Sequence, residues 1–271
     1  MFLKLGPKRK EFPLAALIPN LLTTLALCCG LAALHYAMKP NWDRALGAVV
    51  LAGIFDALDG RAARLLRVTS GFGAILDSLS DFLAFGVAPA VILHQWLVSQ
   101  GVLKGALGVF ALAAFITYAL GAALRLARFT ADAPAMNPAR HAHEGVSHYF
   151  HGMPSPAAAG VALIPAFLAN SESYAWNMPP EWVIALAFVI GVLMVTRIPM
   201  FSLKSVRLGR RSVAPLLVGV GLLAAAMVRY PFLTLAGIST LYALSIPLTA
   251  IQSWRRRAAS RDAAPERPVS T

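Results

Sequence analysis

Long apolar runs recur along almost the whole of this chain, and they limit its possible folds more than any other feature. Each run is close to the roughly 20 residues that an α-helix needs to cross a bilayer. Of the 271 residues 58% are hydrophobic and 13% are charged, which is typical of an integral membrane protein. The sequence therefore predicts an all-α integral membrane protein with about eight transmembrane helices, near residues 14–38, 43–66, 73–98, 103–128, 155–170, 182–201, 213–229 and 233–254.

Positively charged residues are distributed unevenly over the segments that join these runs. Of the 24 Lys and Arg residues, 20 fall on one side of the predicted membrane, together with both termini. Cytoplasmic loops carry an excess of Lys and Arg, so this side is predicted to be the cytoplasmic side of the inner (cytoplasmic) cell membrane. The loops also account for the net charge of +12. Because few aromatic residues interleave with the basic ones, nucleic acid is not expected as a partner.

The two ends of the chain are polar and basic. Residues 1–13 are expected either to lie at the cytoplasmic membrane surface or to form a disordered tail. No clear cleavage site follows them, so the first apolar run is predicted to be a retained helix. The two cysteines are adjacent within that run, and no disulfide framework is expected. Residues 255–271 are rich in Pro and Ala and are predicted to form a disordered cytoplasmic tail.

Four of the chain's acidic residues stand in the strongly apolar segment 55–90. These four residues form two pairs. The members of each pair are three or four residues apart, which places them on one face of a helix. Residues 67–73 form a predicted turn, and both pairs lie roughly 10–13 Å from it at 1.5 Å per residue. The two pairs are therefore predicted to meet across a helical hairpin. They are Asp56 with Asp59 and Asp77 with Asp81.

These four carboxylates would repel one another in a low-dielectric region unless cations lay between them. Hard oxygen ligands favour magnesium, manganese or calcium. Four aspartates from two helices could hold two ions, an arrangement that stabilises the attacking and leaving oxygens in phosphoryl transfer. The other interpretation is a charge network or ion pathway without catalysis.

The aspartates also belong to a longer pattern, Asp56-x2-Asp59-Gly60-x2-Ala63-Arg64-x8-Gly73-x3-Asp77-x3-Asp81. This pattern resembles the complete signature of the CDP-alcohol phosphatidyltransferases, with all eight fixed positions at the family's spacing. An ion pathway would not account for its small residues and its arginine. The resemblance implies a six-helix transmembrane core, assigned to residues 14–204, and two additional helices within residues 205–254.

The resemblance implies a role for each residue of the pattern. Asp56, Asp59 and Asp77 would bind the metals. Asp81 would join the metal site and also serve as the general base. Arg64 would pair with phosphate oxygens, or would simply anchor the helix end at the interface. The small residues would let the nucleotide approach, or would only allow close helix packing; they are Gly60, Ala63 and Gly73.

The first apolar run contains a Pro-Asn-x-x-Thr segment that is common in this family close to its nucleotide site. Here it supplies Asn20 and Thr23. The resemblance implies that Asn20 contributes to nucleotide binding. For Thr23, nucleotide binding and helix–helix hydrogen bonding both remain open.

Segments outside the signature, between about residues 19 and 204, resemble the membrane-embedded phosphatidylserine synthases of bacteria and archaea, a branch of the same family. This similarity implies a homodimer that transfers the phosphatidyl group of CDP-diacylglycerol to L-serine and releases CMP. One departure from the branch is Thr130, where Asn is more usual.

Several residues in these segments are candidates for binding the serine or the lipid phosphate. Arg125 and Arg128 share a helix face, and their alternative role is to anchor the fourth span at the interface. Pro154 and Ser155 either shape the acceptor pocket or start the fifth helix. Weaker candidates are Arg197 and Lys204.

The signature alone leaves the acceptor open, because sibling transferases use glycerol 3-phosphate, inositol phosphate or choline. From other classes, a cation transporter could use the aspartate cluster, and a membrane scaffold would not need it. A loop with four histidines invites a zinc hypothesis, but its spacing matches no zinc signature and a solvated or substrate-facing loop is favoured. These histidines are His141, His143, His148 and His151.

Overall fold

The computed structural model describes residues 17–66, 68, 70–131, 153–171, 176, 178–196 and 213–262. Within these ranges the chain is helical and contains no strand, which confirms the predicted all-α fold. The helices are α1 (Leu17–Met38), α2 (Trp42–Leu66), α3 (Gly71–Asp81), a π-helical segment (Phe82–Val87), α4 (Ala88–Ser99), α5 (Ala106–Ala131), α6 (Ser155–Ala162), α7 (Ile164–Ala169), α8 (Pro180–Val195), α9 (Val213–Arg229) and α10 (Pro231–Asp262).

Among the described residues, three helical stretches are long and apolar enough to cross a membrane. They are α1, the continuous stretch Gly71–Ser99 and α5. Shorter apolar helices lie at Pro180–Val195, Leu217–Arg229 and Pro231–Ile246. Helix α2 has 25 residues, which is sufficient length, but six of its residues are charged. The aspartates predicted to form the site account for part of that charge.

The third predicted span is one continuous stretch whose middle is π-helical. This wider turn spans Phe82–Val87 and includes Gly86. A Cβ at Gly86 would lie 2.9 Å from the Ala122 Cβ and 3.0 Å from the Phe82 ring. Glycine thus allows α5 to pack directly against the wide turn. The carbonyl of Phe85 accepts a hydrogen bond of 2.7 Å from the buried Tyr118 hydroxyl of α5.

The fifth and sixth predicted spans differ from the helices observed. The fifth is broken at Leu163, because Pro165 has no N–H to donate to the Val161 carbonyl one turn earlier. The sixth was predicted to reach residue 201, but α8 ends at Val195. The helix ends because the backbone of Thr196 is extended, with ψ 148°, and the Thr196 hydroxyl donates to the Leu193 carbonyl at 2.7 Å.

The last helix is longer than the sequence predicted. Helix α10 continues to Asp262, so residues 255–262 are helical where a disordered tail was predicted. The physical reason is composition, because this part of the segment is rich in Ala and Arg, which both favour helix. Residues 263–271 and the N-terminal segment 1–13 lie outside the described residues.

Two helix pairs form most of the framework: α1 packs along α2, and α5 packs along α8. A Cβ on Gly121 would collide with the backbone carbonyl of Gly191, and a Cβ on Gly191 would lie 2.7 Å from the Tyr118 Cα. Helices α5 and α8 therefore touch backbone to backbone, as small residues allow in membrane proteins. Helix α3 packs on α1, and α10 packs on α6 and α7. Of the two aspartate-bearing helices, α2 is thereby held against α1, and α3 contacts both α1 and α5.

Candidate active site

The turn between α2 and α3 ends at Ser70, which caps the N-terminus of α3. The Ser70 side chain accepts a hydrogen bond of 2.9 Å from the Gly73 N–H, as an N-cap serine does. A Cβ at Gly73 would lie 2.8 Å from Asn20 Oδ1 and 3.0 Å from Ser70 Oγ. Only glycine fits here without moving a neighbour. The Asn20 side chain of α1 consequently reaches the α3 backbone.

The hairpin brings together aspartates from both of its helices. Asp56 and Asp59 of α2 and Asp77 of α3 each offer a carboxylate oxygen, and these oxygens all lie within 4.8 Å of one another. Asp59 is only 5% exposed, and the other two are partly buried. Three oxygens at this spacing fit a single hard divalent cation, since magnesium and calcium bind oxygen ligands at 2.0–2.6 Å, about half of that separation. The predicted meeting of the two pairs is thus observed for these three residues.

Asp81 lies one helical turn beyond Asp77, immediately before the π-helical segment. Its carboxyl group is within hydrogen-bond reach of Asp56 and close enough to Arg125 to interact electrostatically. It does not belong to the three-carboxylate cluster. Asp81 is therefore placed between that cluster and a cationic side chain of α5.

The first helix is tied directly to the cluster. Thr23 Oγ1 donates to Asp59 Oδ2 at 2.6 Å, and Thr23 is 4% exposed. The carbonyl oxygen of Thr23 accepts a bond of 3.2 Å from Ser80 of α3. One buried threonine thus joins α1 to both carboxylate-bearing helices. Of the two roles left open by the sequence, the observed contact is a helix–helix hydrogen bond that orients a carboxylate.

A cleft of about 180 Å³ opens beside the cluster. A Cβ at Gly60 would meet no atom within 4 Å, so this glycine leaves open space next to Asp59. The cleft is lined by predicted site residues from three separate helices. They are Asn20, Thr23, Asp59, Gly60, Ala63, Gly73 and Asp77, together with Pro19, Val68, Ser70 and Ala74.

Arg64 lies near this cleft, exposed on α2 one turn after Gly60. Its Nε donates to the Gly60 carbonyl at 2.9 Å. That bond uses one of the five N–H groups of a guanidinium. It also turns the side chain back along α2 toward Gly60, which lines the cleft, although Arg64 itself is not one of the lining residues.

The two arginines of α5 have different surroundings. Arg125 Nη1 donates to Ser155 Oγ at 2.5 Å, and Ser155 is fully buried at the start of α6. Arg128 is exposed, and its Nη1 donates to the Val195 carbonyl at 2.9 Å, at the C-terminus of α8. A cation at a helix C-terminus satisfies an otherwise unpaired carbonyl. Arg125 and Ser155 thus lie together near Asp81, whereas Arg128 caps a helix.

Other predicted residues are less directly connected. Pro154 is the N-cap of α6 and precedes Ser155. Thr130 bonds Ser78 of α3 at 2.9 Å, so the threonine at this position joins α5 to α3. The weaker acceptor candidates and the four histidines of the loop lie outside the described residues. They are Arg197, Lys204, His141, His143, His148 and His151.

Sequence reasoning missed Ser70 and Tyr242. Ser70 stands three residues before Gly73 and directly before a helix, which is an N-cap pattern that could have identified it. Tyr242 of α10 is close enough to Arg125 for electrostatic interaction. No local pattern marks it, because it lies more than 100 residues from Arg125 along the chain.

Comparison with known proteins agrees with this geometry. The family profile described as CDP-alcohol phosphatidyltransferase matches residues 16–196, and a second, CDP-alcohol phosphatidyltransferase 2, matches residues 211–247. The chain is similar to proteins named CDP-diacylglycerol–serine O-phosphatidyltransferase. The protein from Mycobacterium tuberculosis (strain ATCC 25618 / H37Rv) is 33% identical over 88% of this chain and 79% of its own length.

Similar proteins of the same name occur in more distant organisms. The Helicobacter pylori protein (strain ATCC 700392 / 26695) is 34% identical over 70% of this chain and 74% of its own length. The Methanocaldococcus jannaschii protein is 37% identical over 55% of this chain and 60% of its own length. The family profile covers the helices that carry the aspartates, the cleft and Arg125. This chain is a member of the CDP-alcohol phosphatidyltransferase family.

Proposed function

We propose that the protein transfers the phosphatidyl group of CDP-diacylglycerol to the hydroxyl of L-serine and releases CMP. The observation that carries this proposal is the convergence of Asp56, Asp59 and Asp77 beside a cleft lined by the small residues of the signature. Serine is supported by the names of the relatives whose similarity extends over most of this chain.

Members of this family use divalent metals, and the three carboxylates are suited to magnesium or manganese, with calcium also possible. Two ions per site are proposed, with Asp81 contributing a ligand through its place beside Asp56. When bound, such cations supply charge neutralisation to the pyrophosphate and to the leaving phosphate.

The protein's own residues then have separate tasks on the donor side. The space over Gly60 and Ala63 admits the nucleotide close to α2. Asn20 projects into the same cleft from α1. Arg64, one helical turn after Gly60, has donors available for phosphate oxygens, which a planar guanidinium binds in pairs. Thr23 holds Asp59 in place.

The transfer itself requires one proton acceptor. Asp81 takes the proton from the serine hydroxyl as the serine oxygen forms a bond to the phosphorus attached to diacylglycerol. The bond between that phosphorus and the bridging oxygen breaks, and CMP leaves with this oxygen. Asp81 suits the role because it lies outside the three-carboxylate cluster and faces Arg125.

Arg125 is the proposed ligand of the serine carboxylate. It lies beside Asp81 and bonds Ser155, so an acceptor bound to it would place its hydroxyl near the base. Arg128 is less suited to this role because one of its nitrogens already binds the Val195 carbonyl. Pro154 would contribute by fixing the start of α6.

In the cell the protein is proposed to lie in the cytoplasmic membrane as a homodimer. Both termini and the aspartate hairpin would face the cytoplasm, because 20 of the 24 Lys and Arg residues lie on that side of the predicted topology. This orientation would let a water-soluble acceptor reach the cleft directly.

The test is CMP release by purified protein in detergent with CDP-diacylglycerol, magnesium or manganese, and a panel of acceptors. We expect release that requires both serine and metal. Release with glycerol 3-phosphate, inositol phosphate or choline instead would keep the chemistry and overturn the serine assignment. Absence of release with every acceptor, from folded protein, would contradict the transferase proposal. Membership of the transferase family leaves the cation-transporter alternative without support.

A further inference from the structure

Helix α10, from the C-terminal helix pair, runs antiparallel along α6 and α7. Phe232 stacks on Phe167, with ring centroids 6.1 Å apart. Two turns further along α10, Ser239 Oγ lies 2.9 Å from where a Cβ of Gly160 would be. Gly160 is two turns back from Phe167, so the two contacts share one register. Tyr242 lies one turn after Ser239 on α10. Ser155, the first residue of α6, lies about one turn before Gly160.

Arg125 lies where the start of α6 meets the part of α10 that carries Tyr242. Its Nη1 donates to Ser155 Oγ, and its guanidinium is close enough to Asp81 and Tyr242 to interact with both electrostatically. Its Nε is buried and has no hydrogen-bond partner among the described residues. Leaving a buried donor without a partner is unfavourable, so such a group in a native protein commonly has a partner that binds.

The geometry points to Tyr242 as a specificity-determining residue that binds the carboxylate of the acceptor together with Arg125. This inference rests on the proposed function, which supplies the acceptor. The free Nε–H and an adjacent Nη–H offer a carboxylate the paired donors of a guanidinium. The Tyr242 hydroxyl can donate a third hydrogen bond. Ser155 holds the other side of the guanidinium and so fixes its plane.

In this arrangement, the residues that bind the acceptor carboxylate come from helices that do not carry the signature pattern. The donor side is built by α1, α2 and α3, whereas the carboxylate subsite combines α5, α6 and α10. An alcohol without a carboxylate would leave the Arg125 Nε unpaired. Selection against such alcohols therefore follows from the cost of that unpaired donor.

The test compares serine with ethanolamine, which has the same hydroxyl and amine but no carboxylate, in wild type and Tyr242→Phe. We expect Tyr242→Phe to raise the KM for serine about tenfold, the loss of one hydrogen bond to a charged group. Its kcat with serine, its KM for CDP-diacylglycerol and any turnover of ethanolamine should stay close to wild type. Tyr230→Phe, the same change at the residue directly before α10, is the matched control and should leave all parameters unchanged.

Other outcomes are also decisive. An unchanged KM for serine in Tyr242→Phe would overturn the inference while leaving the proposed function intact. Equal losses of activity with serine and ethanolamine would assign Tyr242 a packing role and would overturn the inference as well. A lower melting temperature together with a raised KM for both serine and CDP-diacylglycerol would do the same. Failure of the wild-type protein to use serine would instead refute the proposed function.

Discussion

At the scale of single residues, neighbours one helical turn apart have different tasks in this site. Asp77 belongs to the three-carboxylate cluster, whereas Asp81 lies beside Asp56 and faces Arg125. Both are partly buried aspartates on one helix face. Both lie near carboxylates of α2, and what distinguishes Asp81 is that α5 brings Arg125 close to it.

Replacing Asp81 by Asn tests this division. Asp81→Asn should lower kcat by about 100- to 10,000-fold, the usual contribution of a general base. Binding of CDP-diacylglycerol should be largely retained, because Asp56, Asp59 and Asp77 remain. Turnover measured as CMP release and binding measured by titration separate the two effects. Asp43→Asn, at the other end of α2, is the matched control, and substantial turnover by Asp81→Asn would exclude Asp81 as the base.

A second change at this scale tests the contact between α1 and α3. Gly73→Ala should displace the Asn20 amide, since the added Cβ would lie 2.8 Å from it. We expect the KM for CDP-diacylglycerol to rise about tenfold, the equivalent of one lost polar contact. Gly71→Ala is a close control because a Cβ there meets no atom within 4 Å. Equal kinetics for the two variants would show that Asn20 does not contribute to the donor side.

The sequence predicted most residues on the CDP-diacylglycerol side of the site because their spacing places them on one helix face. Asp56 and Asp59, or Asp77 and Asp81, are close in sequence and share a face by helix geometry alone. The contact of Thr23 with Asp59 could be suspected but not assigned, because it depends on how α1 packs against α2. Tyr242 was beyond prediction, since its place beside Arg125 is set by the register of α10 on α6.

At the scale of helices, small residues decide how closely the elements approach. Helices α5 and α8 touch at Gly121 and Gly191, and α10 approaches α6 at Gly160. The sequence predicted where most helices begin and end, because apolar length and basic flanks mark them. It did not predict the wide turn at Phe82–Val87 or the break at Leu163, which depend on packing and on one missing N–H.

The contact between α5 and α8 provides a prediction at this scale. Gly121→Leu should destabilise the protein by at least about 1–3 kcal/mol, the usual cost of overpacking, because its Cβ would collide with a backbone carbonyl. The loss should appear as a lower melting temperature in detergent. Gly47→Ala, where a Cβ meets no atom within 4 Å, should not lower it. If both variants melted like wild type, the close approach of α5 and α8 would be refuted.

At the scale of the whole molecule, the two helices that carry the carboxylates, α2 and α3, are held by hydrogen bonds from α1 and α5. Helix α1 holds α2 and α3 through Thr23, and α5 holds α3 through Ser78 and Thr130. Mutual repulsion of the carboxylates opposes this arrangement. Cations that relieve the repulsion are therefore expected to stabilise the entire bundle, not only the hairpin.

Removal of divalent metal tests this coupling. A chelator should abolish CMP release and lower the melting temperature, and magnesium or manganese should restore both. Binding at 100 times the dissociation constant stabilises a folded protein by about 2.7 kcal/mol. In Asp59→Asn, added metal should raise the melting temperature less than in wild type. Identical metal-induced shifts in the two proteins would place the stabilising ion elsewhere.

The wide turn at Phe82–Val87 has a consequence for chain length. A π-helical turn takes up one residue more than an α-helical turn of similar rise. A deletion of one residue inside this segment can be absorbed by closing it into regular α-helix, so Asp81 and Pro89 keep their faces. The same deletion elsewhere in Gly71–Ser99 would rotate all later side chains by about 100°. Insertions and deletions in this helix should therefore be confined to the six residues directly after the proposed base.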